Sequence, residues 1–273
     1  MCELTGIFSR IDAYYDIEED DDSRKANDDF DQAAGHGEII RVGDSSILKK
    51  TQEAEAHFYE IISEYSGLEN FTPKYEGSSI VDGEVYIQME DLTANYQNPA
   101  MIDIKMGTRT WVTDMGVEKI DRRKIVDQKT TTGELGYRVL GYRRYNRCTE
   151  SYEKVDKNEC RNIVSSEVKE HLSQYYFDGV RLRKDAIQET LDQIEPIYSW
   201  FKENTDIEFV SSSLFILYEG NDHVGQYGVT VKMIDFPYVL PLQESPGRSR
   251  DEGYLQGLEN LREALQSLLN EAS

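Results

Sequence analysis

Apolar positions along this chain fall into short alternating runs and longer helical stripes, and their order predicts a mixed fold. Glu38-Ile-Ile-Arg-Val42 and Ser46-Ile-Leu-Lys49 read as two short strands joined by a turn at Gly43-Asp44. Glu53 to Tyr65 follows with Phe58, Ile61, Ile62 and Tyr65 at helical spacing. Val85 to Glu90 reads as a strand and Asp91 to Asn98 as a connector. Ile102-Asp-Ile-Lys-Met106 alternates as a strand should, with Asp103 and Lys105 on one face and Ile102, Ile104 and Met106 on the other. Gly136 to Tyr142 is a further strand. Asp185 to Glu203 carries Ile187, Leu191, Ile194, Tyr198 and Phe201 on one stripe, with Pro196 expected to kink or break it. Ser213 to Tyr218 and Val229 to Ile234 form a strand pair around a turn at Gly220-Asn221-Asp222. Leu255, Leu258, Leu261, Leu265 and Leu268 mark a C-terminal helix and are core positions. The pattern contains no internal repeat and no Pro/Gly/Ser-rich linker. It predicts an α+β chain of two lobes with a cleft near residue 92.

Charge changes the picture more than length does. The 273 residues carry a formal net charge of -22, which argues against a nucleic-acid binder working by phosphate neutralisation. Residues 1–31 hold eleven acidic and three basic residues, so 3 - 11 = -8. Their run Asp16-Ile-Glu-Glu-Asp-Asp-Asp22 predicts a solvated, flexible tail over 1–32, ahead of a small lobe at 33–91 and a larger one at 92–273. Pro99 to Arg147 is the opposite, with eleven basic and six acidic residues, 11 - 6 = +5. A basic stretch in an acidic chain invites an anion, although a solvated charged face is the commoner explanation.

No stretch approaches the roughly 18 apolar residues of a membrane-spanning helix, and the N-terminus lacks the apolar run of a signal peptide. Cys2, Cys148 and Cys160 form no metal-ligand spacing and no disulfide framework. Reduced thiols in a soluble intracellular protein, nuclear or cytoplasmic, are the expectation, and a monomer with no integral membrane association.

Three local signals carry chemistry. In Pro99-Ala-Met-Ile-Asp103-Ile-Lys105-Met-Gly107, a carboxylate and an ammonium two apart on a strand project together, and Gly107 allows close approach. Taken alone, a surface ion pair accounts for it. Met233-Ile-Asp235-Phe236 ends an apolar strand on an acid, where a kinase needs a hard oxygen ligand for metal-bridged phosphates. A turn aspartate is the plainer alternative. Ile47-Leu-Lys49 with Glu55 on the next helix suits a phosphate-contacting lysine steadied by a glutamate. Gly35-His-Gly37 is too short to count as a phosphate loop.

The order of these signals resembles one family. Pro-x-x-x-Asp-x-Lys-x-Gly is the signature of the inositol polyphosphate kinases, and Pro99 to Gly107 fits it at every fixed position. Ser212-Ser-Leu-Phe-Ile216 resembles the family's Ser-Ser-Leu-Leu-Phe segment, with Phe215 departing from leucine. Ile234-Asp-Phe-Pro-Tyr238 resembles its Ile-Asp-Phe-Ala-His, and Asp251 to Leu258 matches its closing Asp-x-Gly-Tyr-x-x-Gly-Leu. Glu90-Asp-Leu-Thr93, Leu182-Arg-Lys-Asp-Ala186 before Trp200-Phe201, and Tyr218-Glu-Gly220 are similar to the multikinase branch. The likeness spans roughly residues 33 to 270.

The resemblance implies a two-lobed, protein-kinase-like fold with an ATP cleft between the lobes, and ATP and Mg²⁺ as cofactors. It implies that adenine pairs with the backbone of Glu90 and Leu92, that Asp103 holds the ribose, and that Lys49, with Glu55 as partner, contacts the α- or β-phosphate. Asp235 would ligate Mg²⁺, Ser213 would help to orient it, and Lys105 would stabilise the transferring phosphoryl group. Lys119, Arg122 and Arg123 (or Lys124) lie where the family's inositide-binding helix lies. Arg138, Arg143 and Arg144 read as surface. Tyr238 stands where the family often has histidine and would meet the substrate without a positive charge.

The activity implied is phosphorylation of the 3- and 6-hydroxyls of soluble inositol polyphosphates such as inositol 1,4,5-trisphosphate, with lipid inositides left open. The Met106-Gly-Thr-Arg109 tetrad and the doubled arginines keep a pyrophosphate-forming inositol hexakisphosphate kinase as the alternative. A trisphosphate 3-kinase is disfavoured by the short segment between Gly107 and Gly136. A catalytically silent scaffold is the alternative from another class, opposed by the intact set of Lys49, Asp103, Lys105 and Asp235.

Overall fold

A strand pair, a helix and a second strand pair open the described chain. The computed structural model describes residues 39–221, 228–244 and 248–271. The acidic tail, Gly35-His-Gly37 and Asp222 lie outside the described residues. β1 (Ile39–Val42) and β2 (Ser46–Thr51) pair antiparallel, and α1 (Glu53–Ile61) follows, continued by a 3-10 turn at Ile62–Glu64. β3 (Tyr75–Val81) and β4 (Glu84–Glu90) complete a four-stranded antiparallel sheet in the order β1-β2-β4-β3. β3 was not anticipated, because its Tyr-Glu-Gly-Ser-Ser-Ile-Val sequence is a mostly exposed edge with a bulge between Tyr75 and Gly77 and shows no period-2 pattern.

The remaining described residues build the second, larger sheet and the helices packed on it. β5 (Pro99–Met106) leads to α2 (Val117–Lys129) and the short α3 (Thr132–Leu135), then β6 (Tyr137–Asn146), β7 (Ser151–Val155), α4 (Lys157–Cys160), α5 (Val168–Tyr175) and α6 (Lys184–Glu203). β8 (Ile207–Val210), β9 (Ser213–Glu219), β10 (Val229–Ile234), β11 (Tyr238–Pro241) and α7 (Glu252–Glu271) follow. The large sheet runs β10-β9-β5-β6-β7, with β11 and β8 as a separate pair. β5 is therefore central. Residues Pro99 to Ile104 are buried on both faces, so its alternation separates the core from the cleft rather than from solvent.

Pro196 does not break α6. The helix runs for 20 residues through it. Ile187, Leu191, Ile194, Ile197 and Phe201 are buried on one side, so tertiary packing outweighs the lost backbone bond. Ile197 replaces Tyr198 on the stripe, and the Tyr198 hydroxyl instead donates to Glu259.

One apolar core joins both lobes. Phe58 and Tyr59 of α1 pack on Phe236 with ring centroids 5.0 and 5.3 Å apart, and Phe236 packs on Phe209 at 5.6 Å. Aromatic contacts of this kind hold α1 against the end of β10. The α7 leucines complete the same core.

Two glycines explain the closing sequence motif. Gly136 has φ +71, and a Cβ added at Gly257 would overlap its carbonyl oxygen. That carbonyl accepts from Gly107 N at 2.8 Å. The first turns of α7 thus rest directly on the end of β5. Asp251 secures them, accepting from Tyr254 N at 3.0 Å and Phe209 N at 2.8 Å.

Candidate nucleotide and phosphate site

The central sheet sets the floor of the cleft. On β5, Met101, Asp103 and Lys105 share a face, and the register places them opposite Leu217, Phe215 and Ser213 of β9. Met101 and Leu217, with Leu92, Tyr96 and Phe215 packed against them, form a small apolar cluster beside the connector after β4. On that connector, Asp91 N donates to Ser45 O at 2.8 Å, and the Asp91 carboxylate accepts from Thr93 N at 2.9 Å. The Glu90 N–H is engaged by Lys74 O at 3.0 Å.

Deeper in the cleft the polar groups concentrate. Asp103 is 2% exposed, and its Oδ1 has no hydrogen-bond partner. Burial, and then the charge of Asp235, push its carboxyl up to about 7. Ser213 is fully buried and its hydroxyl is likewise unpartnered. Lys105 Nζ donates to Ser211 O at 3.1 Å. Ser211 and Asp235 both adopt positive φ, 68° and 58°, at the same end of the β9–β10 pair. Backbone of this kind in a non-glycine residue is uncommon and concentrates at functional sites.

Lys49 connects the lobes. Its Nζ lies 2.9 Å from Glu55 Oε1 and 2.6 Å from Asp235 Oδ1. Glu55 also accepts from the Thr51 hydroxyl and from Phe236 N, the latter at 3.1 Å. Burial opposes the charge on Lys49, but the carboxylates of Asp235 and Glu55 outweigh it and hold the ammonium well above its usual range. Burial alone would raise the Asp235 carboxyl. Lys49 instead pulls it below its ordinary value, so it is an anion whose side chain is still 40% exposed.

The basic helix α2 borders this centre. Arg123 Nη1 donates to Thr110 O at 2.9 Å and to Ser211 Oγ at 3.4 Å, so Arg123 and Lys105 converge on Ser211. Asp127 pins the helix, accepting from Thr110 N at 2.8 Å and Thr110 Oγ1 at 2.7 Å. Lys119 is half-buried and Arg122 exposed. Lys124 turns away, with its Nζ 4.6 Å from the Trp111 ring centre. Tyr238 is 4% exposed, in an apolar cluster with Val112, Met115 and Val210.

The arginines read as surface are not exposed: Arg138 and Arg144 are half-buried and Arg143 is buried. Arg143 is 7% exposed with its guanidinium 4.3 Å from the Tyr152 ring centre, and the register places it opposite Met101. Arg138 lies opposite Lys105. Pairing register across β5 and β6 is invisible to a local reading, which is why both were missed. Arg109 of the Met106–Arg109 tetrad is engaged by the buried Glu208, which also binds Arg248.

Among the described residues, no group of three or more His, Cys, Asp or Glu side chains could hold a metal by itself, and no helix is long and apolar enough to cross a membrane.

The chain matches the inositol polyphosphate kinase family over residues 86–266. It is 29% identical to the human inositol polyphosphate multikinase over 211 residues, covering 70% of this chain and 50% of the relative. It is 28% identical to the mouse inositol hexakisphosphate kinase 3 over 193 residues, covering 64% of this chain and 49% of the relative. The chain thus spans about half the length of these two curated relatives. The fold is similar to that of the inositol phosphate multikinase Ipk2 from S. cerevisiae in complex with ADP and Mn²⁺. The TM-score is 0.72 and the identity 22%, covering 82% of this chain and 99% of that one.

Proposed function

This chain belongs to the inositol polyphosphate kinase family, and we propose that it transfers the γ-phosphoryl group of ATP to a hydroxyl of an inositol polyphosphate. The observation that carries the proposal is the convergence of Lys49, Asp103, Lys105, Ser213 and Asp235 from three strands and a strand end onto one cleft. Within it, residues 33–91 act as the small lobe and 92–273 as the large one.

The cluster of Met101, Leu217 and Leu92 offers the adenine an apolar bed. Glu90 contributes through its carbonyl, since its N–H is engaged by Lys74, and Leu92 through its backbone. Asp103 receives the ribose hydroxyls, which would satisfy its unpartnered buried oxygen. Lys49 contacts the α- or β-phosphate, with Glu55 holding it in place.

The donor set suits Mg²⁺. This ion takes one or two carboxylates and fills its remaining positions with phosphate oxygens and water, and Asp235 supplies an accessible anionic oxygen beside the unpartnered Ser213 hydroxyl. When bound, the ion neutralises charge on the β- and γ-phosphates. Lys105, held against Ser211 O, stabilises charge on the equatorial oxygens of the phosphoryl group in transfer. No covalent intermediate with the protein is needed. Lys119, Arg122 and Arg123 bind substrate phosphates, whereas Tyr238 acts by packing the Trp111 segment.

The acceptors we propose are the 3- and 6-hydroxyls of soluble substrates such as inositol 1,4,5-trisphosphate, used by a monomer in the nucleus or cytoplasm. Product identification after incubation with MgATP and, separately, the trisphosphate and hexakisphosphate, with Lys105→Ala as control, tests this. Hydroxyl phosphorylation of the trisphosphate, lost in the variant, supports the proposal. Turnover of hexakisphosphate alone would move the assignment to pyrophosphate formation, a reading favoured by the likeness to the mouse hexakisphosphate kinase. Turnover of neither would favour a non-catalytic scaffold. Phosphatidylinositol bisphosphate vesicles in the same assay decide whether lipid inositides are used.

A further inference from the structure

The position of Arg138 on β6 has a consequence for how substrate is gripped. Antiparallel register sets Arg138 directly opposite Lys105, so the two side chains leave the sheet on the same face. Its Nη1 is buried and has no hydrogen-bond partner. A guanidinium desolvated in this way is costly unless an anion answers it.

The nearby carboxylate is poorly placed to do so. Asp127 uses both oxygens on Thr110, at 2.8 and 2.7 Å. Around Arg138 the charges are mixed. Arg123 from α2 and Arg161 lie close enough to oppose its charge, while Asp127 and Asp103 favour it. Arg161 is the residue that closes α4, a short helix fixed at its start by reciprocal hydrogen bonds between Asp156 and Glu159. Arg138 stands opposite Lys105, with the guanidiniums of Arg123 and Arg161 close to it, in a chain whose formal net charge is -22. Such a gathering is unfavourable without a multivalent anion, and planar guanidinium forks match phosphate oxygens well.

We propose that Arg138 and Arg161 form a phosphate subsite on the β6 side of Lys105, filled by a phosphomonoester of the substrate that takes no part in transfer. This rests on the inositol polyphosphate reading above and extends it. The preferred substrate carries a phosphate on the side of the ring that faces β6 and α4, away from the nucleotide. Substrates lacking that group bind more weakly.

The test uses the full chain with Arg138→Leu, Arg138→Lys and Arg161→Gln. Binding of inositol hexakisphosphate is measured by calorimetry without nucleotide, alongside steady-state kinetics with MgATP and inositol 1,4,5-trisphosphate. One lost charge-assisted contact predicts about tenfold weaker hexakisphosphate binding for Arg138→Leu and Arg161→Gln. It also predicts a shallower dependence of affinity on salt and an unchanged KM for ATP. Arg138→Lys should recover part of the affinity.

Hexakisphosphate affinity within twofold of wild type in Arg161→Gln and Arg138→Leu would overturn the subsite. If Arg138→Leu fails to fold, Arg161→Gln, an exposed position, decides alone. The two readings can also fail separately. A wild-type protein that binds hexakisphosphate through these arginines but turns over no inositol phosphate keeps the subsite and loses the kinase assignment. Turnover unaffected by either arginine does the reverse.

Discussion

Lys49 Nζ stands 2.6 Å from Asp235 Oδ1, an ion pair between residues 186 positions apart that joins the small sheet to the end of β10. The same ammonium is shared with Glu55, which also holds the Phe236 backbone. The lobes therefore meet through a charge relay whose members are the groups proposed to meet phosphate and metal. In this geometry Lys49 neutralises Asp235, and a bound nucleotide would redistribute that charge.

Asp235→Asn tests the metal assignment. Removing the anionic oxygen should lower turnover with MgATP by about 10³-fold, the scale for losing an electrostatic stabiliser of the transition state. The thermal midpoint should change little, because the side chain is 40% exposed. A variant retaining more than a tenth of wild-type kcat would remove Asp235 from the catalytic set.

Glu55 has a structural and a functional share. Glu55→Ala takes one of two carboxylate partners from buried Lys49 and the acceptor from Phe236 N. It should destabilise the fold by about 3 kcal/mol, as expected for breaking a buried pair. Glu55→Gln keeps the shape and some hydrogen bonds, so it should lose less stability while still raising the KM for ATP. Urea denaturation and nucleotide kinetics on both variants separate the two shares; equal stability loss in both would assign Glu55 to charge alone.

Gly257→Ala places a methyl group against the Gly136 carbonyl, which is backbone and cannot rotate away. A cost of about 2 kcal/mol is expected for such overpacking. Because Gly136 O holds Gly107 N, two residues beyond Lys105, kcat should fall as well. An alanine variant as stable and active as wild type would show that α7 does not position the end of β5.

Asp251 predicts a pH dependence. Burial raises its carboxyl from 3.8 to about 6, partly opposed by the N–H groups of Phe209 and Tyr254. A raised folded value means that the native state holds the proton more tightly than the unfolded chain. This contribution to stability is present below pH 4 and disappears as pH rises through 6. Asp251→Asn cannot titrate, so the stability of wild type relative to the variant should decline between pH 4 and 7 in urea titrations. A relative stability that rises over this window would show that the N–H groups outweigh burial.

Tyr238→Phe addresses the position where the family often has histidine. The ring lies in an apolar cluster, so removing the hydroxyl should leave the KM for inositol phosphate within twofold. A tenfold rise would instead make the hydroxyl a substrate contact.

Much of this arrangement was legible in local patterns. The alternation of Ile102, Ile104 and Met106 against Asp103 and Lys105 marked β5, and apolar spacing marked α1, β4, the β9–β10 pair and α7. Those signals are set by the period of a strand or a helix, which short-range sequence records directly. The order of the Asp-x-Lys, Ser-Ser and Ile-Asp-Phe motifs likewise marked the family. Other features rest on contacts between distant residues. Packing of α6 kept Pro196 inside an unbroken helix. β3 and β8 have too little alternation to be seen alone and exist because β4 and β11 pair with them. Glu55 reached Phe236, Arg138 came to lie beside Lys105, and Tyr238 turned into an apolar cluster. Side-chain periodicity is a property of neighbours along the chain. Register, burial and the sharing of a charge among separate elements arise only when the chain has closed on itself, because they depend on residues that no local window contains.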